Sequence, residues 1–203
     1  MNKFCATLLI LAFCFTSNAQ DQVTENTTQG ASVEKNIFNI QAGVIGFWIS
    51  HEGRLGKEFT LRTEVGMDLW YYETRVPGSM AAKDDEGNIL VPSISLEPRW
   101  YYNLEKRNSK GKNTANNSAN FVTVAVEYYP DLFTIGSKPD FVYVPDQISI
   151  IPKWGIRRSI AGSNFNYELG AGIGYQALLK DEDNIDKPSS LALDLHIRIG
   201  YTF

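Results

Sequence analysis

The sequence predicts an all-β protein, an antiparallel up-and-down transmembrane β-barrel of eight strands, seven of which can be read directly. Three observations predict it. The first is the stretch 191–203, where every odd position (Leu191, Leu193, Leu195, Ile197, Ile199, Tyr201, Phe203) is apolar or aromatic. Its even positions are Ala192, Asp194, His196, Arg198, Gly200 and Thr202. Side chains alternate across a strand, so one face is apolar and the other charged. At about 3.3 Å per residue and a tilt near 40°, this stretch covers roughly 33 Å, enough to cross a bilayer. The second observation is glycine on the polar rows: Gly66, Gly155, Gly170, Gly172, Gly174 and Gly200. Glycine weakens a strand, and a solvated face has no crowding that calls for it, whereas a narrow bore does. The third is the clustering of Trp and Tyr near strand ends, where rings with a polar tip favour the membrane–water boundary.

The elements follow in order. A polar segment, 20–35, is expected to be a flexible lead-in to a barrel domain over 36–203. The first strand spans about 36–50, with Phe38, Ile40, Ala42, Val44 and Trp48 on one face, and the turn 51–56 follows. The next strand, about 57–73, sets Phe59, Leu61, Val65, Met67, Leu69 and Tyr71 against Thr60, Arg62, Glu64, Gly66 and Asp68. A loop containing Pro77-Gly78 and Asp84–Gly87 leads to a strand at about 89–104. There Leu90, Ile94, Leu96, Trp100 and Tyr102 oppose Ser93, Ser95, Glu97, Arg99 and Asn103. A basic, Asn-rich connection (105–118) precedes the strand at about 120–129, and a Pro-punctuated loop precedes that at about 147–159. A tight turn at 161–163 starts the strand at about 164–178, and an acidic loop leads to the last one. Seven is an odd number, and barrels of this type have an even one, so an eighth strand is expected either in 22–34 or near Phe141–Val144.

With the apolar rows facing lipid, the polar rows line the lumen. They bring Arg62, Arg99, Lys153, Arg157, Arg198 and His196 to face Glu64, Asp68, Glu97, Glu127, Glu168 and Asp194. An eight-stranded barrel is just wide enough for side chains to fill it. Buried charges persist only when paired, so the expectation is a plugged, ion-paired bore rather than an open pore. Trp48, Trp70, Tyr71, Trp100, Tyr102, Tyr128, Tyr175, Tyr201 and Phe203 are expected at the two membrane boundaries. Alternation alone leaves a second architecture open, a soluble lipocalin-like carrier with its apolar face inward around an apolar ligand.

The chain opens Met1-Asn-Lys3, runs apolar from Phe4 to Phe15 and reaches Thr16-Ser-Asn-Ala19. That is the pattern of a cleaved secretory leader over 1–19. Phe13 before Cys14 does not fit a lipidation site. Both cysteines lie within the leader, so the exported chain holds no thiol. Without the leader, 18 basic face 23 acidic residues, a charge of −5 that argues against a nucleic-acid partner. The predicted location is the outer membrane of a Gram-negative cell, after leader-dependent export.

Chemistry-bearing residues are few. His196 lies between Asp194 and Arg198 on one strand face, and a catalytic reading would pair it with Asp194 or with a serine such as Ser149. No nucleophile motif accompanies it, so an embedded lipid hydrolase or acyltransferase is the minor reading and no catalytic residue is assigned. His51 sits in a turn beside Glu52 and reads as solvated. Two separated histidines and no mature cysteine argue for no metal site and no cofactor. The basic run Lys106–Lys112 and the acidic clusters 84–86 and 181–183 read as solvated loops without an EF-hand pattern.

Several runs resemble a family of short outer-membrane β-barrel proteins found in Bacteroidetes. They are Leu96-Glu-Pro-Arg-Trp-Tyr-Tyr-Asn-Leu104, Asn117-Ser-Ala-Asn-Phe121, Ile151-Pro-Lys-Trp-Gly-Ile-Arg-Arg158, Phe165-Asn-Tyr-Glu168 and Arg198-Ile-Gly-Tyr-Thr-Phe203. The final Phe203 also resembles the terminal residue of outer-membrane barrels, which forms part of their insertion signal. The resemblance implies a fold and an address, with outer-membrane lipid and the barrel-insertion machinery, engaged by the C-terminal strand, as partners. It implies no activity and names no external ligand. A structural or interaction role is therefore expected, with a small-solute carrier or channel as the alternative.

Overall fold

A strand with one apolar and one charged face needs two unlike surroundings, and closing the sheet on itself supplies both while removing free edges. The computed structural model describes residues 30–74, 85–139, 143–160, 162–179 and 189–203. Eight antiparallel strands form a closed barrel in chain order. They are β1 (Asn36–Gly43), β2 (Gly46–Arg54), β3 (Phe59–Thr74), β4 (Asp85–Trp100), β5 (Asn120–Tyr129), β6 (Gln147–Ser159), β7 (Phe165–Leu178) and β8 (Ser189–Thr202). β1 closes the ring against β8, with Gln41 opposite Gly200 and Gly43 opposite Arg198. The start of β1 and the end of β8 share one end of the barrel with the β2–β3, β4–β5 and β6–β7 connections. That is the terminal end; the β1–β2 turn and the connection 130–146 lie toward the opposite, loop end.

The eighth strand was hidden inside the first predicted one. Residues 36–50 are two strands joined at Val44-Ile45, with Gly43 paired to Gly46. Gly46 has φ +151°, and a Cβ there would stand 2.2 Å from the Met67 carbonyl oxygen, so the turn requires glycine. Two-residue hairpins are usually marked by Asn-Gly or Asp-Gly. Here the tip is Val-Ile, and the alternation reads straight through it. The positions expected for the missing strand do not supply it: residues 30–34 and 143–144 form no strand, and the rest of both windows lies outside the described residues. The leader 1–19 and the acidic run 181–183 lie outside them too.

The hairpin changes which residues face inward. Its pairing sets even positions of β1 opposite odd positions of β2 (Phe38 with His51, Ile40 with Ile49), so the inward row passes from Ile37, Asn39 and Gln41 to Trp48, Ser50 and Glu52. Trp48, expected at a membrane boundary, is therefore an interior residue, 2% exposed. Trp70 is a second correction. It continues the inward row of Arg62, Glu64 and Asp68, and packs on Tyr129 (ring centroids 5.2 Å apart) beside Ile89 and Val91. His51 and Glu52 are strand residues rather than part of a turn.

Outward positions carry Ile40, Ile49, Val65, Ile94, Ile150, Ile173, Leu193, Leu195 and Ile197, all exposed. Around the terminal end runs a ring of aromatic contacts. Phe59 stacks on Trp100 at 5.9 Å, and Phe165 and Phe203 each meet Tyr201 edge-on at 5.1 Å. Tyr102 belongs to the same ring and accepts a hydrogen bond from Trp154 Nε1 at 2.9 Å. Tyr71 and Tyr175 stand exposed toward the loop end, where half-buried Tyr128 donates to Asp146.

The terminal end is also floored. Strand β4 stops at Trp100, and a short helix α1 (Leu104–Asn108) occupies part of the connection read as a loop. Val33, Tyr101, Leu104, Ala119 and Phe121 form one buried apolar cluster across that end. The expected flexible lead-in is thus tied down by residue 33: Val33 N–H donates to the Lys57 carbonyl at 2.9 Å, and Glu34 N–H to Asn117 Oδ1 at 2.8 Å. None of the described helices is long and apolar enough to cross a membrane, which says nothing of strands.

Candidate functional site

The candidate site is the barrel interior, and all twelve polar residues read from the alternating rows lie on its inner face. In the terminal half the centre is Glu168 of β7, fully buried. It accepts from Arg99 Nη1 and Nη2 at 3.0 and 2.8 Å and from Arg62 Nη1 at 3.1 Å, with Arg157 Nη1 at 3.6 Å. Arg99 also donates to Glu97 at 2.6 Å and lies over the Phe121 ring, 4.1 Å from its centroid. Arg62 reaches Glu64 and Gln41, and Arg198 reaches Glu64 at 2.8 Å while stacking 3.8 Å over Trp48. Glu52 accepts at one oxygen from Thr60 (2.9 Å), Tyr101 (2.8 Å) and Asn117 (2.8 Å). Burial and the Glu52 carboxylate push the Tyr101 phenol up, so it stays a donor. This half therefore holds Glu52, Glu64, Glu97 and Glu168 against Arg62, Arg99, Arg157 and Arg198. Isolated buried charges would be costly; matched, hydrogen-bonded ones hold.

The loop half is built differently. Lys153 Nζ donates to Glu97 (2.8 Å), Glu127 (3.0 Å) and Asp194 (3.0 Å). Asp68 accepts from Trp48 Nε1 at 2.8 Å, and Asp194 Oδ1 lies 2.6 Å from His196 Nδ1. Of the three carboxylates in this half, Glu127 and Asp194 are held by Lys153, Asp194 also by the His196 imidazole, and Asp68 by the Trp48 indole, with Arg198 lining the same space. A cavity of about 280 Å³ opens here, its lining including Trp48, Asp68, Ser95, Glu127, Asp194 and His196. Ser95 is 8% exposed, and its hydroxyl has no hydrogen-bond partner among the described residues.

His196 sits between two carboxylates: its Nε2 is 3.6 Å from Glu168 Oε1. Ser149, the serine weighed as its partner, lies opposite Glu127 and Gln176 in the sheet and makes no hydrogen bond with it. No group of three or more metal-ligating side chains occurs among the described residues. The glycines of the inner rows make room for rings from neighbouring strands. A Cβ on Gly66 would stand 2.1 Å from Trp48, on Gly155 2.3 Å from Phe121, and on Gly170 2.2 Å from His196.

Sequence reasoning missed Glu52, Gln41 and Trp48 as interior residues, and missed the Tyr101–Phe121 floor. The signal for Trp48 and Glu52 is Gly43-x-x-Gly46: read as a hairpin turn, it reverses the parity and sends Trp48, Ser50 and Glu52 inward, whereas Gln41 precedes the turn and alternates with Phe38 and Ile40.

The wall beside the cavity is incomplete. β1 and β2 have 8 and 9 residues, whereas β3 and β4 have 16 each. β3 pairs with β2 only as far as Asp68, and one further bond runs from Leu69 N–H to the Ile45 carbonyl. β8 pairs with β1 only from Arg198 onward, so its residues 189–197 pair with β7 alone. Beyond the hairpin tip, β3 and β8 flank a notch that no strand among the described residues fills. The other unequal edge is closed: above Ile94, Leu90 exchanges both backbone bonds with Ile135 at 2.8 and 3.0 Å.

No protein-family model, no curated protein and no solved structure matches the chain.

Proposed function

We propose that the protein is a small integral outer-membrane barrel with an ion-paired, plugged interior and a structural or interaction role. The observation that carries the reading is its inverted polarity: a continuous apolar surface outside and a charged network inside. Soluble monomers rarely expose contiguous apolar patches beyond a few hundred Å². In hydrocarbon, a closed barrel satisfies its backbone through its neighbours while the outward rows meet lipid. The aromatic ring at the terminal end, the sequence leader and the resemblance to the Bacteroidetes barrels point the same way. A soluble carrier of an apolar ligand would need the opposite arrangement, with apolar rows lining the inside.

The plug speaks against free passage of solutes. Arg62, Arg99, Arg157 and Glu168 converge from four strands and are each no more than 1% exposed, so they fill the bore. The C-terminal strand, ending Tyr201-Thr-Phe203 with Phe203 exposed, is the segment proposed to engage the insertion machinery.

The test is electrophoresis of unboiled and boiled membrane fractions in SDS, with planar-bilayer recording of the purified protein. A membrane-bound species whose mobility shifts on heating, without steady large conductance, is the expected result. Recovery in the soluble fraction with no shift overturns the membrane reading; a steady large conductance overturns the plug.

A further inference from the structure

The notch has a particular depth, a particular lining and a particular charge behind it. If the strands tilt by roughly 40°, the eight residues of β1 rise only about 20 Å, short of the ~25 Å apolar band of an outer-membrane barrel. The hairpin tip then ends inside hydrocarbon. Its residues agree: Val44 is 80% exposed and Ile45 44%, where a tip in water would favour Asn, Asp or Gly. Above the tip, the notch-facing backbone groups of β3 and β8 have no strand partner among the described residues, a situation that hydrocarbon alone does not satisfy. An occupant with hydrogen-bonding atoms is called for.

Two cavities meet at this point. On the outer face lies an apolar groove of about 520 Å³, lined among others by Val44, Trp154, Leu169 and Ile197. It shares Ile45, Leu195 and His196 with the interior cavity of about 280 Å³. A hydrocarbon chain in the groove thus reaches Ile45, Leu195 and His196, which also line the polar chamber. That chamber holds the interior's charge imbalance. The terminal half is matched four to four, whereas the loop half sets Asp68, Glu127 and Asp194 against Lys153, which bonds the last two and Glu97. His196 is on Asp194, and the Glu64-paired Arg198 is also on the lining. The unpartnered Ser95 hydroxyl, more than nine-tenths buried, lines the same chamber.

We infer that the notch admits an amphiphile from the surrounding bilayer, its chain lying along the outer groove and its polar end, a primary ammonium, entering the chamber. An ammonium is compact, carries three donors and complements surplus carboxylates with a neutral hydroxyl nearby. A carboxylate or phosphate end would meet like charge at Asp68, Glu127 and Asp194. The inference rests on the membrane reading above.

The test uses the full mature barrel in lipid nanodiscs carrying tetradecylamine, tetradecanol or tetradecanoic acid at equal mole fraction. Native mass spectrometry counts the chains retained. One amine per barrel is expected, favoured at least about tenfold over the alcohol and the acid. Ile45→Trp, which fills the junction of the two cavities at an exposed turn, should lower amine retention by a similar factor without changing the heat-dependent gel shift. Ethanolamine, an amine without the chain, should not displace tetradecylamine at equal concentration. Equal retention of the three chains, an inert Ile45→Trp, or displacement by ethanolamine each overturns the proposal. A barrel that still shows its gel shift with any of those results leaves the membrane reading standing.

Discussion

The two halves of the interior use the same residue types to different ends. In the terminal half, four carboxylates and four guanidiniums are matched, pinned by Tyr101 and Asn117 and floored by Phe121 and Leu104. In the loop half, Glu127 and Asp194 share Lys153 and Asp68 takes the Trp48 indole, around open space beside a gap in the wall. Matched buried charge makes a rigid plug, since removing any member strands its partner. Unmatched charge beside a cavity can accept or lose a partner without such a penalty. The difference teaches where a narrow barrel keeps its stability and where it keeps room for a ligand.

Substitutions that sharpen or break this contrast can be ranked. Glu168→Ala should have the largest effect, because Arg62, Arg99 and Arg157 lose their shared acceptor. A loss of about 3–5 kcal/mol is expected in denaturant unfolding from detergent micelles. A loss no greater than that of a loop-half carboxylate would break the contrast. Gly170→Val should follow, at about 1–3 kcal/mol, since its first carbon would stand 2.2 Å from the imidazole of His196. The thermal midpoint of the gel shift reads that change. Trp48→Phe removes the indole N–H donated to Asp68 and weakens the stack under Arg198. It should cost about 1–2 kcal/mol by the same measurement. Glu127→Gln, which lowers the carboxylate surplus while keeping a hydrogen-bonding side chain near Lys153, should change stability by less than about 1 kcal/mol. A loss comparable to that of Glu168→Ala would show the two halves to be one network.

Much of this architecture was legible in the residues. Period-two alternation placed Arg62, Glu97, Glu168 and Arg198 on one side and Val65, Leu96, Leu169 and Ile197 on the other, because the pleat permits no other arrangement. Glycine on the inner rows announced crowding before the crowding partners were known. Trp48 and Trp70 were misread because an aromatic near a strand end fits either face, and parity is lost when a turn goes unseen. The turn itself carried no polar signal, its tip being Val44-Ile45. Helix α1 and the apolar floor were illegible because Tyr101, Leu104 and Phe121 belong together only across the barrel end.

By itself the sequence determined the alternating faces, hence a closed all-β sheet and the residues that share its charged side. Only the tertiary structure decided the strand count, the residues within bonding distance of Glu168, and the gap above the β1–β2 hairpin. The reason is one of range. Alternation is set by each residue's own backbone, whereas register, ring closure and the partner of a buried charge depend on strands far apart in the chain.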